Sequence, residues 1–278
     1  MMSIKTLLLS IKRIIKGEHK RYIPVNLCGT SLQVLPGTCR ANPDQDDAWW
    51  FYLSKHHHVI FDIGCNIGYT ALIGLIHDPN KKMILVDPNP KALQKAALNI
   101  INNGIGNKVY YQAAFVGNTV DDTVRFYTIG AGAAGSMYPT HAKTAASMNA
   151  FMDVKTITLD HLFIFYDMKP DLVKIDVEGA ETQVMEGAKV LAKDTQCTFF
   201  IEMHTVENLG MEAAAAFMLD WCAQMDYKAW YLKTGSLLTS AAIIKDRGKC
   251  HLLLLPENKS YPNYLKGITQ NAPLPNSI

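Results

Sequence analysis

The chain has 278 residues, 49% of them hydrophobic, and its 27 basic and 25 acidic side chains leave a formal charge of +2. That length and apolar content exclude a disordered chain and suit one large α/β domain with a substantial core. The near balance of charge offers no electrostatic footprint for nucleic acid, and no apolar stretch is long enough to span a bilayer.

Ile4, Leu7, Leu8, Ile11, Ile14 and Ile15 fall on one helical stripe, with Lys5, Lys12, Arg13 and Lys16 on the remainder. Lys12 and Arg13 interrupt the apolar run, which argues against a secretory signal. A basic amphipathic helix over residues 1 to 16 either packs on its own domain or lies against an anionic membrane. Residues 22 to 35 give short strands broken by Pro24 and Gly29, and Asp44 to Asp47 precede a helix from Ala48 to Ser54. His56, His57 and His58 lead into a strand, where neighbouring side chains alternate faces; they cannot converge on one ion and read as surface. Six cysteines, at positions 28, 39, 65, 197, 222 and 250, form no C-x-x-C pair, which suits reduced thiols in a cytoplasmic protein.

The chain is organised around Val59 to Thr70. An apolar strand ends in Asp62-Ile63-Gly64-Cys65-Asn66-Ile67-Gly68, and an apolar helix follows. Strand, glycine turn and helix make half of a nucleotide-binding βαβ unit, because the backbone must turn sharply and come close to a ligand. The dinucleotide pattern G-x-G-x-x-G is missing, which disfavours a nicotinamide oxidoreductase. Asp62 and Asn66 would repel a pyrophosphate but suit a cationic ligand, so D-x-G-x-N-x-G points to S-adenosylmethionine. A second apolar run, Met83 to Val86, ends in Asp87, about 20 residues after the turn, where a doubly wound fold offers a carboxylate to ribose hydroxyls. Asp87-Pro88 also suits a turn. A helix follows from Pro90 to Ile101, stopped by Asn102-Asn103-Gly104.

Val109 to Val116 reads as a third strand, with Ala113 and Ala114 small enough to let adenine lie on the backbone or simply to pack closely. Residues 117 to 160 break the βαβ rhythm with added strands at 123 to 128 and 154 to 159. Between them the small-residue stretch Gly130 to Ser136 reads as a mobile loop above the strand tips. The core resumes at Leu172 to Glu181. Lys174 and Asp176 fall on one side of a central strand, where buried charge must be paired or used. Lys174 suits an ion pair and Glu181 the first turn of a helix running to about Ala192; Asp176 and Glu178 suit a site. Cys197 to Ile201 is the next strand, and Glu202 and His204 share a face at its tip. An alanine-rich helix at 211 to 225 and strands at 227 to 232 and 250 to 255 complete the domain. From residue 257 the polar, proline-bearing tail is expected to be loosely held.

Together these motifs resemble the FkbM family of S-adenosylmethionine-dependent methyltransferases. The resemblance rests on Phe61 to Gly68, on Asp87-Pro88-Asn89-Pro90 with Leu98-Asn99, and on Thr158-Leu159-Asp160. Its narrowest parts are Leu172 to Glu181 and Ile201-Glu202-Met203-His204. Cys65 and Asp87 depart mildly from the family's usual alanine and glutamate. The resemblance implies a class I methyltransferase fold, a Rossmann-like, doubly wound, mostly parallel seven-stranded sheet, to which the residue pattern adds an N-terminal extension and a small β insertion. Residues 1–57 would be the extension, 58–256 the methyltransferase domain and 257–278 the tail. It also implies O-methylation of a sugar, glycan or secondary metabolite. The cofactor is expected on the strand-end residues Asp62, Gly64, Asn66, Gly68, Asp87, Asn89, Ala113, Ala114 and Asp176. From the residues themselves, His204 is the first candidate for general base, with Asp176, Glu178 and Glu202 around it. No metal is assigned, although two carboxylates and a histidine suit a divalent ion. A non-catalytic S-adenosylmethionine-binding scaffold stays open.

Overall fold

The computed structural model describes residues 22–42, 44–130, 135–206 and 209–278; the amphipathic stripe at 1 to 16 lies outside them. Strands β1 (Ile23–Leu27) and β2 (Thr30–Val34) form an antiparallel hairpin, followed by α1 (Asp47–Lys55). The core begins with β3 (Val59–Ile63), α2 (Tyr69–His77), β4 (Lys82–Asp87), α3 (Pro90–Asn102) and β5 (Lys108–Ala113). An insertion holds β6 (Phe115–Val116), β7 (Thr123–Tyr127), α4 (Lys143–Ser147) and β8 (Phe151–Ile157), and α5 (Leu159–Tyr166) returns to the core. The second half comprises β9 (Leu172–Ile175), α6 (Glu181–Glu186), α7 (Lys189–Thr195), β10 (Thr198–His204), α8 (Met211–Met225), β11 (Tyr227–Tyr231), β12 (Ser236–Leu237) and β13 (Lys249–Pro256).

The main sheet has the order β12-β11-β13-β10-β9-β3-β4-β5. Pairings from β10 through β5 are parallel, while β13 runs antiparallel to both β10 and β11. This is the expected mostly parallel class I arrangement with one addition, the two-residue edge strand β12. The strand order reverses between β3 and β9, so the crevice above their carboxyl ends is the topological switch point where open α/β sheets bind ligands.

Alternation along the strands separates two apolar layers. Phe61, Ile63, Val173, Ile175, Phe199 and Ile201 face one layer; Ile60, Leu172, Phe200 and Leu253 face the other. Asp62, Lys174, Glu202 and His251 have the parity of the second layer and make a buried polar row across it. Asp62 is opposite Lys174, and Glu202 is opposite His251. The N-terminal extension packs on this same layer through Leu32, Val34, Trp49 and Trp50, and the Trp50 indole donates to the Thr70 carbonyl at 2.8 Å.

Four expectations need correction. The strand read as Val109 to Val116 breaks at Ala114, because β6 leaves the main sheet to pair with β8. The helix after Glu181 is interrupted at Gly187, where an added Cβ would lie 2.4 Å from the Gly117 carbonyl oxygen. Of the stretch Gly130 to Ser136 expected to be mobile, residues 131–134 lie outside the described ones, but Ser136 at its end is 1% exposed and bridges Tyr127. The tail docks instead of hanging loose: Leu265 is buried, and the Trp49 indole donates to the Ile268 carbonyl. No helix among the described residues is long and apolar enough to cross a membrane. The six cysteines are all free thiols.

Candidate active site

A cavity of about 320 Å³ opens at the switch point. One wall is the turn after β3. Gly64 has a φ of 83° and Asn66 one of 47°, backbone regions open to glycine and tolerated by asparagine. Gly64 donates its N–H to the Val86 carbonyl at 2.9 Å. A Cβ on Gly64 would lie 1.8 Å from the Asp176 carbonyl oxygen, so glycine lets the tips of β3 and β9 close on each other. Asp87 receives the Asn66 N–H at 2.9 Å and the Asn89 N–H at 2.8 Å, which lock the two strand-end turns together. Burial pushes the Asp87 carboxyl up to about 6, against the pull of those two bonds. Asn89 caps α3 by accepting from the Lys91 N–H, and its amide donates to the Gly130 carbonyl.

Gly64, Asn66, Asp87, Asn89, Ala114, Asp176 and Glu178 therefore share one cavity. Three expected cofactor residues do not line it. Asp62 lies behind the wall, fully buried, accepting from the Thr70 hydroxyl at 2.6 Å with its other oxygen 3.9 Å from the Lys174 ammonium. Gly68 serves helix packing, since a Cβ there would meet the Ala96 Cβ at 2.8 Å. Ala113 is exposed, because the chain turns away after β5; Phe115 lines the cavity instead.

The opposite wall is acidic. After β9, Glu178 and Gly179 take φ values of 53° and 109°, a tight turn that the Gly179 N–H stabilises by donating to Glu181. Asp176 lies 3.2 Å from Lys174, and both lie beside the cofactor turn. Burial and the nearby Glu202 charge push the Asp176 carboxyl up to about 7, against the attraction of Lys174. Glu202 and His204 sit behind Asp176 and Glu178, outside the cavity lining. His204 Nδ1 is 2.9 Å from Glu181 Oε1, and its Nε2 is 3.6 Å from both Glu178 and Glu202. Burial works against the imidazolium, yet Glu181, Glu202 and Asp176 push His204 up to about 11. These three carboxylates favour the protonated ring.

Sequence reasoning placed Glu181 only in a helical turn. It is 2% exposed and directly orients His204. Lys249 and His251 were also missed. They face the Glu202 carboxylate from β13, in register with His204 and Glu202. The alternation Lys249-Cys250-His251 before a run of leucines was the available signal. From the extension, Arg40 reaches the cavity over the Tyr69 ring while paired with Asp44, Asp46 and Asp47. Nothing in the sequence pattern linked that segment to the turn after β3.

Comparison with known proteins yields one family match: residues 62–229 fit the methyltransferase FkbM domain. Among solved structures, the methyltransferase FkbM from Methylobacillus flagellatus KT is 14% identical with a TM-score of 0.44. The match covers 71% of this chain and 43% of that one, so this chain spans less than half the length of that protein. TYW2 from M. jannaschii, solved in complex with AdoMet, is 11% identical with a TM-score of 0.45, covering 84% of each chain. No curated protein sequence matches. The domain match, and not these distant likenesses, carries the assignment.

Proposed function

The chain belongs to the FkbM family of S-adenosylmethionine-dependent methyltransferases, and from that premise we propose that it methylates a hydroxyl of a sugar, glycan or small metabolite. The observation that carries this reading is the pairing of two walls in one cavity: the glycine turn with Asp87, and the carboxylates of Asp176 and Glu178. The first suits the donor. Asp87 accepts from ribose hydroxyls, and the close approach of Gly64 and Asn66 leaves room for the amino acid portion. The second suits an acceptor rich in hydroxyl donors and lies next to a sulfonium that anionic groups attract.

Transfer is an in-line displacement. The acceptor oxygen forms a bond to the methyl carbon, the C–S electron pair stays on sulfur, and S-adenosylhomocysteine leaves. The acceptor proton passes to a rim carboxylate, with Glu178 the more exposed candidate at 33%. Alignment of donor and acceptor supplies much of the acceleration, and a positioned base contributes roughly 10²–10⁴. His204, held by Glu181, lies behind this wall with its Nε2 facing Glu178 and Glu202.

The test is transfer of label from methyl-tritiated S-adenosylmethionine into separated glycan, lipid, small-metabolite and RNA fractions. Label in a hydroxyl-bearing glycan or metabolite fraction supports the reading. Label confined to RNA replaces the acceptor class, and donor binding without transfer to any fraction favours a scaffold.

A further inference from the structure

The rim holds a donor set that proton transfer to a carboxylate does not use. We propose that Asp176, Glu202 and His204 bind one divalent cation of the Mn²⁺, Fe²⁺, Co²⁺ or Zn²⁺ class, which receives the acceptor oxygen at the inner edge of the cavity. This rests on the methyl-transfer reading above for its purpose, though not for its geometry.

Each of the three side chains offers one ligand atom, and these atoms lie within 4.8 Å of one another. His204 Nε2 stands 3.6 Å from Glu202 Oε1. That is too long for a hydrogen bond. Two donors each about 2.1 Å from one ion, however, stand roughly 3.0 to 3.5 Å apart at octahedral and tetrahedral angles. The other ring nitrogen is already occupied, since Nδ1 meets Glu181 Oε1 at 2.9 Å. A carboxylate on one imidazole nitrogen fixes the ring and turns the opposite nitrogen towards a metal.

A second observation is independent of that geometry. Glu202 is only 4% exposed, and among the described residues its Oε1 makes no well-formed hydrogen bond and has an ammonium as its ion-pair partner. The Lys249 ammonium lies against that oxygen and is the group an incoming ion displaces; its side chain is 29% exposed and has solvent to move into. Among the described residues, Asp176, Glu178, Glu181 and Glu202 face two ammonium groups, Lys174 and Lys249. The ion takes the place of the proton on His204 Nε2, which is released as the cation binds. One imidazole nitrogen and two carboxylate oxygens select a borderline transition ion over calcium. A hydroxyl bound to such an ion is acidified, and its proton still passes to Glu178.

Glu202 also faces a buried triad with Asp46 and His251, where Asp46 Oδ2 and His251 Nε2 have no hydrogen-bond partner among the described residues. The pocket-side triad is assigned because Asp176 lines the cavity and an acceptor reaches it.

The experiment titrates chelator-treated full-length protein with Co²⁺, read by visible absorption, and with Mn²⁺, read by electron paramagnetic resonance. One ion per chain is expected. Glu202→Gln and His204→Gln abolish stoichiometric binding, and Glu181→Gln weakens it about 10–100-fold as an outer partner of the ligand. Lys249→Met tightens binding by removing the competitor, and His251→Gln leaves it unchanged. S-adenosylhomocysteine binding by calorimetry persists in the Glu202 and His204 variants, which shows that they fold. Absence of binding in both the wild type and Lys249→Met overturns the site. Loss in His251→Gln with retention in His204→Gln also overturns it, by moving the ion to the buried triad. The calorimetry separates the two ideas: homocysteine-product binding without metal binding removes the cation alone, whereas metal binding without product binding removes the methyl-transfer reading.

Discussion

Replacing Gly64 with alanine puts one methyl group where β3 and β9 meet. The φ of 83° costs a non-glycine residue about 1–2 kcal/mol. The new Cβ would also stand 1.8 Å from the Asp176 carbonyl oxygen, against an ordinary carbon–oxygen contact of about 3.3 Å. The tip of β9 must therefore retreat by roughly 1.5 Å, stretching the 3.0 Å hydrogen bond from Asp176 N–H to the Ile63 carbonyl. Overpacking of this kind costs about 1–3 kcal/mol, so the total is about 2–5 kcal/mol. Gly104→Ala is the matched control. Its φ is 63° and nothing lies within 4 Å of the added Cβ, which leaves the conformational cost alone. At about 2–4 °C per kcal/mol, the Gly64 variant should melt about 4–20 °C lower than the wild type, and the control about 2–8 °C lower. Isothermal titration with S-adenosylhomocysteine should show affinity lowered at least about tenfold in Gly64→Ala, a change of 1.4 kcal/mol or more, and unchanged in Gly104→Ala. Equal melting of the two variants, with unaltered affinity in both, would refute the close-approach argument.

Asp87→Asn should weaken S-adenosylhomocysteine binding by about 1.5–3 kcal/mol, the worth of hydrogen bonds to a charged group. Only the ionised carboxylate accepts from two hydroxyls, so wild-type affinity should fall as pH drops through about 6 while the variant stays flat. Lys174→Met leaves Asp62 and Asp176 buried without their cation and should cost about 3–5 kcal/mol in chemical denaturation at neutral pH. Losing Lys174 raises these already raised carboxyl pKa values further. A buried acid with a raised folded-state pKa is penalised only when ionised, so this deficit should shrink as pH falls below neutral; a deficit constant with pH would contradict the pairing. Glu178→Gln should lower single-turnover methyl transfer by roughly 10²–10⁴ with donor affinity intact, and full activity would remove its proton-accepting role.

The central strands β3, β4 and β9 were legible because each is a largely apolar run that ends at a glycine or an acid. The cofactor turn was legible for the same reason, since Gly64, Asn66 and Asp87 occupy successive strand tips that share one cavity. Sequence position alone could not separate residues that line the cavity from those that brace it. Asp62 and Gly68 belong to the same motif as Gly64, but Thr70 and the α3 residue Ala96 decide what they touch. The antiparallel register of β13 brings Lys249 and His251 to Glu202, a pairing between strands about 50 residues apart that local pattern does not encode. His204 shows the same limit. Its residue type suggests a base, but the linear pattern does not show that Glu181 and Asp176 join Glu202 around it and favour the protonated ring.

The central claim is that this cavity moves a methyl group from sulfur to oxygen. Carbon-13 nuclear magnetic resonance of the product made with methyl-¹³C-labelled S-adenosylmethionine tests it most directly, because the methyl resonance reports the atom it is bonded to. The account predicts a single new methyl ether signal that appears with wild-type protein and is suppressed by Glu178→Gln. A labelled methyl on nitrogen or carbon, or donor consumed with no methylated product, would contradict it.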